Sequence, residues 1–276
     1  MDFVFRRSYQ GPLKAAIFDW AGTTMDFGCV APAVVFQQLF EAHGVSVSMA
    51  EAREPMGAHK RAHIAEMMGM ERIRQRWEKV HGNPPGDADV DVLFAEFVPK
   101  QLDAIRHYAE LIPGVPEAIA ELRGQGLKIG STSGYTREMM DILKVEGEKR
   151  GYAPDCIVAA TEVPAARPAP WMAYECMRQL EVYPAEACIK VGDTPKDIQE
   201  GLNAGMWSIG VAVSGNEVGL SECEWNAADT AEKARRRARA YDRLAASGAH
   251  YVVDSIAAVP ALLPEITARL ARGERP

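Results

Sequence analysis

The chain has 276 residues, 47% of them hydrophobic and 25% charged, with a formal net charge of -7. This supports a substantial core and argues against nucleic acid or an anionic membrane surface as partner, while leaving room for a small anion in a local cationic pocket. No apolar run is long enough to span a membrane, and Arg6-Arg7 is followed by no cleavable apolar stretch, so neither a membrane span nor a signal peptide is expected.

The first predicted element is a strand over 13–18 that ends at Asp19, where open α/β sheets place their chemistry; Gly22 and Thr23 then predict a tight polar turn. From about Phe27 to Arg106 the pattern becomes helical, with apolar faces over 33–42, 58–68, 72–80 and 90–107 and a helix-breaking turn at Asn83-Pro84-Pro85-Gly86-Asp87. In that stretch Lys60 and His63, three apart, share a helix face. Judged alone, a lysine there reads as solvated surface. Further strands are predicted near 127–132, 156–160, 188–192, 207–213 and 250–253, alternating with helices. Ala227 to Ala246 reads as an exposed helix without chemistry. The order predicts an α/β fold: a doubly wound, Rossmann-like parallel-sheet core made of residues 1–26 and 107–276, with an inserted α-helical cap over 27–106. Five cysteines, Cys29, Cys156, Cys176, Cys188 and Cys223, are scattered, odd in number and without Cys-x-x-Cys spacing, which reads as reduced thiols in a cytoplasmic protein. Cys29 either lines a site near Asp19 or packs the core.

Three later segments bear on Asp19. In Gly130-Ser131-Thr132-Ser133-Gly134-Tyr135 a strand ends in hydroxyls before a helix that starts near Thr136; such donors at a helix N-terminus suit a phosphate oxygen, although Ser133 or Thr136 also suits a simple cap. In Ala165-Ala166-Arg167-Pro168-Ala169-Pro170 the prolines fix a loop around one cation, which could clamp a phosphoryl group. In Val191-Gly192-Asp193-Thr194-Pro195-Lys196-Asp197 two carboxylates follow a strand and open a helix. Asp193 as an N-cap before proline accounts for one of them only, and a hard cation such as Mg²⁺ takes oxygen ligands from one or two carboxylates.

Taken in order, these segments resemble the haloacid dehalogenase superfamily. The resemblance implies that Asp19 attacks phosphorus, that Ser133 and Arg167 hold the phosphoryl oxygens, and that Mg²⁺ is held by Asp19, Asp193 and the backbone carbonyl of Ala21, with Asp197 acting through water. Most phosphatases of that superfamily carry an acid two residues after the nucleophile, and Ala21 can neither protonate a leaving oxygen nor activate water. Asp19-Trp20-Ala21-Gly22-Thr23, together with Met56-Gly57-x-x-Lys60 and His63, is similar to the phosphonoacetaldehyde hydrolase (phosphonatase) family, as is arginine at 167. That resemblance implies an imine between Lys60 and a small phosphonate aldehyde, and carbon–phosphorus cleavage to an enamine that leaves as acetaldehyde. Gly57 then belongs to the phosphate-binding set, and Met56, His63 and Tyr135 surround the imine, with His63 as proton shuttle. An amine must lose its proton to add to a carbonyl; desolvation or the cations His59, Arg61 and His63 would lower the lysine pKa. The resemblance also implies a homodimer through the cap. Two other readings stand: a phosphomonoesterase or phosphomutase of the same fold, and a non-catalytic Mg²⁺ or phosphate-binding protein.

Overall fold

A computed structural model describes residues 8–276; the reading of Arg6-Arg7 lies outside the described residues. Six strands, β1 (Ala15–Phe18), β2 (Lys128–Ser133), β3 (Cys156–Ala159), β4 (Cys188–Gly192), β5 (Trp207–Val211) and β6 (Tyr251–Val253), form one parallel sheet in the order β3-β2-β1-β4-β5-β6. β1, β3, β4 and β5 are buried throughout, so they read as apolar runs and not as alternating patterns. Alternate residues of β1 feed different cores: Ala16 and Phe18 belong with Ile119 and Leu270, whereas Ala15 and Ile17 belong with Met172 and Cys176. The strand order reverses at β1, because the chain runs to β2 and β3 on one side and returns to β4 on the other. Sheets of this kind bind ligands in the crevice beyond the carboxyl ends of the strands at such a point.

Between β1 and β2 lies the helical insertion: α1 (Val30–Ala42), α2 (Met49–Arg53), α3 (Lys60–Gly69), α4 (Glu71–His81) and α5 (Asp87–His107). Phe36 of α1 stacks on Phe97 of α5 with ring centroids 4.4 Å apart, and Leu39, Phe40, Ile64 and Leu93 are fully buried around them. Each such side chain contributes about 1.5–3 kcal/mol, and the cluster is continuous with the one that packs on Ala16 and Phe18 of the sheet. α2 was not anticipated, since five residues are too short to show a helical period. Ser48 starts it, in a capping box with Glu51.

The remaining α-helices, α6 (Val115–Gly124), α7 (Arg137–Lys149), α8 (Trp171–Leu180), α9 (Pro195–Ala204), α10 (Glu222–Ala227), α11 (Thr230–Ala246) and α12 (Leu263–Ala271), lie outside the insertion. α11 is largely exposed, as expected, with only Ala240 and Leu244 buried. It is not idle, however: Arg243 pairs with Glu54, just beyond α2, at 2.9 Å and with Glu217 at 3.0 Å, tying the insertion to the core. No helix among the described residues is long and apolar enough to cross a membrane. All five cysteines are free, and Cys223 alone is exposed.

Candidate active site

Sheet register brings the first two carboxylates together. Phe18 pairs with Val191 across the β1–β4 ladder and the Asp19 N–H donates to the Val191 carbonyl at 2.9 Å, so Asp19 and Asp193 leave adjacent strand ends side by side. Between them, Gly22 takes a φ of +83°, and a Cβ there would fall 2.1 Å from Asp193 Oδ2. Only glycine leaves that space open. Asp197 comes from the first turn of α9, and one carboxylate oxygen from each of the three aspartates lies within 4.8 Å of the others. The N-cap of α9 is Thr194, not Asp193: Thr194 and Asp197 form the capping box, which leaves Asp193 free of helix duties. Thr136 likewise caps α7, leaving Ser133 at the strand end, where its Oγ accepts the Tyr135 N–H at 3.2 Å.

Arg167 is buried at the centre of this cluster. Its Nη1 lies 2.8 Å from Asp19 Oδ1 and 3.0 Å from Asp197 Oδ1, its Nε 2.8 Å from Glu200 Oε2, and its Nη2 donates to the Thr132 carbonyl and hydroxyl. A second buried cation stands beside it: Lys190, fully buried in β4, lies 3.0 Å from Asp197 and 3.3 Å from Glu200. Lys190 and Glu200 were missed, yet a lysine inside an apolar strand was a signal for a buried counter-charge. The carboxylates divide accordingly. Burial pushes the Asp197 carboxyl up, but Arg167 and Lys190 outweigh it and hold the group below the usual range. Burial raises Asp19 despite Arg167. Asp193 is raised well above its ordinary value, by burial and then by Asp19. Among the described residues it receives only neutral donors, Thr23 Oγ1 at 3.3 Å and the Asn216 N–H at 2.8 Å. A buried carboxylate trio with one uncompensated member fits a hard divalent cation, so the cluster could hold a metal.

The insertion closes the site from above. Gly57 has a φ of +88° and a Cβ there would meet Thr194 Oγ1 at 2.3 Å, while a Cβ on Gly134 would meet the Ala58 carbonyl at 2.6 Å. Two glycines therefore let the loop before α3 rest on the core. That loop delivers Met56, Gly57 and Lys60 to the same small pocket as Asp19, Ala21, Ser133, Tyr135, Arg167 and Asp193. Cys29 is on its wall and also packs against Ala33 and Met56, so both of its expected places hold.

Lys60 opens α3 and is only 3% exposed. Its Nζ donates to Met56 Sδ at 4.0 Å and sits 4.7 Å from the Tyr135 ring centroid and 5.7 Å from that of Phe36. Burial pulls its pKa down to about 8, with attraction to Asp19 opposing and Arg167 assisting. Of the two expected causes desolvation acts, while the neighbouring cations are not among the main ones. Arg61 turns outward to Asp91 and Asp87, and His59 sits beside Phe94. His63 shares the helix but is not on the pocket wall. It stacks on Phe36 at 3.8 Å between centroids, its Nε2 lies 2.9 Å from the Ala52 carbonyl, and its Nδ1 has no partner among the described residues. Burial, then the Lys60 charge, holds it well below its ordinary pKa, so it is neutral. With Nε2 donating to the carbonyl, Nδ1 keeps its lone pair. Tyr135 accepts a bond from Gln101 Nε2 of α5 at 3.1 Å, another link across the seam.

A larger cleft of about 570 Å³ opens along the seam between Arg53, Glu217 and Arg243. It contains neither the carboxylate trio nor the buried amine, so the smaller pocket is the candidate site.

Residues 16–211 match the family model described as haloacid dehalogenase-like hydrolase. Over 274 residues the chain is 47% identical to a protein of Nitratidesulfovibrio vulgaris named phosphonoacetaldehyde hydrolase, covering 99% of this chain and 98% of that one. A protein of Hahella chejuensis with the same name is 45% identical over 276 residues, covering 100% and 94%. The crystal structure of a phosphonoacetaldehyde hydrolase-like protein from Oleispira antarctica superposes with a TM-score of 0.97 at 42% identity over the whole of both chains. With likeness of this extent in sequence and in fold, the chain belongs to the phosphonoacetaldehyde hydrolase family of the haloacid dehalogenase-like hydrolases.

Proposed function

We propose that the protein hydrolyses the carbon–phosphorus bond of phosphonoacetaldehyde to acetaldehyde and phosphate. The observation that carries this is a buried lysine amine sharing a pocket with a strand-end aspartate, where position 21 supplies no acid. An oxygen leaving group needs a proton donor at 21; a carbon leaving group needs an electron sink, and an amine makes one.

In this mechanism neutral Lys60 adds to the aldehyde, water leaves, and an iminium forms. Asp19 attacks phosphorus; the electron pair of the carbon–phosphorus bond passes into the enamine. Arg167 and the Ser133 hydroxyl hold the phosphoryl oxygens, with Gly57 admitting them close to the backbone. Water then hydrolyses the aspartyl phosphate, and protonation at carbon followed by hydrolysis of the imine releases acetaldehyde. Met56 and Tyr135 keep the amine in an apolar setting, and His63, with its free Nδ1, moves protons through water. Asp19, Asp193 and the Ala21 carbonyl would hold Mg²⁺, with Asp197 bound to it through water; the ion would supply charge neutralisation at the phosphoryl oxygens. Residues 27–106 act as a cap on a core of 1–26 and 107–276, excluding water from both covalent intermediates.

The test is phosphate release from phosphonoacetaldehyde beside a panel of phosphate monoesters. Release from the esters alone would favour the phosphomonoesterase or phosphomutase reading, and release from none the non-catalytic one. The free cysteines support a cytoplasmic setting. The resemblance implies a homodimer through the cap, but the exposed aromatics Trp171, Tyr174 and Tyr183 lie around α8 of the core and favour contact there. Sedimentation of Trp171→Ser separates the two: a monomer supports the core contact, an undisturbed dimer the cap.

A further inference from the structure

Arg53, the last residue of α2, reaches out of the insertion to three acceptors. Its Nη1 donates to the carbonyls of Gly28 at 2.6 Å and Cys29 at 3.2 Å, and to Asn216 Oδ1 at 3.2 Å. Gly28 and Cys29 belong to the crossing from sheet to insertion, where Asp26, Gly28 and Cys29 all have φ between 50° and 83°. Such a run holds its shape only if its surroundings fix it. Asn216 belongs to the loop that follows β5. It is 5% exposed, and its Nδ2 returns a bond to the Arg53 carbonyl at 3.3 Å, so the two residues grip each other through side chain and main chain.

The same Asn216 gives its backbone N–H to Asp193 Oδ2 at 2.8 Å. Its loop is fitted closely at both ends: a Cβ on Gly215 would lie 2.4 Å from Asp193 Cβ, and one on Gly219 3.0 Å from Arg53 Nε. Gly28 donates to the Ser214 carbonyl at 2.7 Å and Ser214 Oγ to the Gly22 carbonyl at 3.1 Å, joining the loop to the crossing and to the turn after Asp19. An unbroken hydrogen-bonded path therefore runs from α2 through Arg53 and Asn216 to the least compensated carboxylate of the site.

We propose that Arg53 is a positioning residue that couples the seat of the cap to cation binding: by gripping Asn216 it fixes the N–H that aims Asp193, so each event favours the other. This rests on Asp193 being a metal ligand. Coupling of this kind is reciprocal, because whatever the seated cap adds to cation affinity the cation must return to the cap.

The experiment is calorimetric titration of Mg²⁺ into the substrate-free, chelator-treated enzyme, for wild type, Arg53→Met and Arg53→Lys, with hydrogen exchange at the amides of 26–31 and 49–57 with and without the ion. Arg53→Met should weaken Mg²⁺ binding roughly fivefold or more. Arg53→Lys, which keeps a donor on a similar stem, should recover most of the affinity; a generally damaged fold would not. Mg²⁺ should slow exchange at the crossing in wild type and Arg53→Lys but not in Arg53→Met. If wild type binds no Mg²⁺, the ligand assignment of Asp193 fails and the coupling with it. If wild type binds and Arg53→Met matches it within twofold, or shows the same exchange response, the coupling alone is overturned.

Discussion

Replacing Lys60 by Met should abolish turnover and make the fold more stable at neutral pH. The reason lies in the burial of the amine. A free lysine titrates near 10.5, whereas Lys60 is pulled down to about 8, so at pH 7 roughly one molecule in ten carries the neutral amine against roughly one in three thousand for an ordinary side chain. The cost of this reactivity is thermodynamic. Below pH 8 the amine is protonated in both folded and unfolded states, and the folded state holds that charge at a disadvantage. At about 1.4 kcal/mol per pH unit the drop amounts to about 3 kcal/mol. Between pH 8 and 10.5 the unfolded chain binds the extra proton, so wild-type stability from this group rises with pH, and above 10.5 the penalty is gone. Methionine fills the same apolar space against Met56, Tyr135 and Phe36 and carries no proton. Urea unfolding of wild type and Lys60→Met at pH 7 and at pH 10.5 measures the difference: a gain of up to about 3 kcal/mol at pH 7 that shrinks toward zero at the higher pH. A destabilised variant, or a gain that does not change with pH, would refute the reasoning. In the same pH range wild-type kcat/KM should rise toward a plateau above pH 8.

Three more outcomes follow from the site. Asp193→Ala should abolish Mg²⁺ uptake with stability unchanged or raised, because this carboxylate is repelled by Asp19, whereas Asp197→Ala should cost about 3–5 kcal/mol by stripping Arg167 and Lys190 of a buried partner; calorimetry and urea unfolding separate them, and equal losses of stability would remove the distinction. Borohydride with phosphonoacetaldehyde should leave a two-carbon adduct on the Lys60 peptide, and Lys60→Arg should resist trapping while still binding Mg²⁺; an adduct mapped elsewhere would shift the imine off Lys60. Asp19→Asn should drop turnover below a hundredth of wild type with the fold intact, once deamidation is excluded by mass spectrometry; higher turnover would move the nucleophile elsewhere.

The sequence foretold the alternation of strands and helices and the four segments that meet at the switch point, because buried parallel strands and their polar ends leave a strong local pattern. What it concealed depended on distant contacts. Lys60 reads as a surface lysine on a helix; it is buried because Phe36 and Tyr135, 24 and 75 residues away, roof the same space. Local spacing suggested that His59, Arg61 and His63 depress its pKa, yet Arg61 faces solvent and the desolvation comes from elements the local pattern cannot reveal. Asp193 and Thr194 are adjacent and both suit a cap; which one serves was decided by β4 extending to Gly192, which turns Asp193 toward Asp19 and leaves Thr194 at the helix start. Arg53 and Asn216 carry no motif at all, being 163 residues apart.

The closest approach of the two halves is made at two glycines. Gly57 meets the Thr194 hydroxyl and Gly134 the Ala58 carbonyl with no side chain of their own between, so the closeness of the two halves there depends on positions 57 and 134. Sealing and selectivity are thereby separated. Cys29 stands on the chamber wall with Ala33 packed behind it, and neither takes part in the glycine contacts. A library that spares positions 56, 57 and 134 and varies 29 and 33 should therefore yield enzymes that accept longer aldehydes and still exclude water, whereas one that varies the glycines should yield leaky ones.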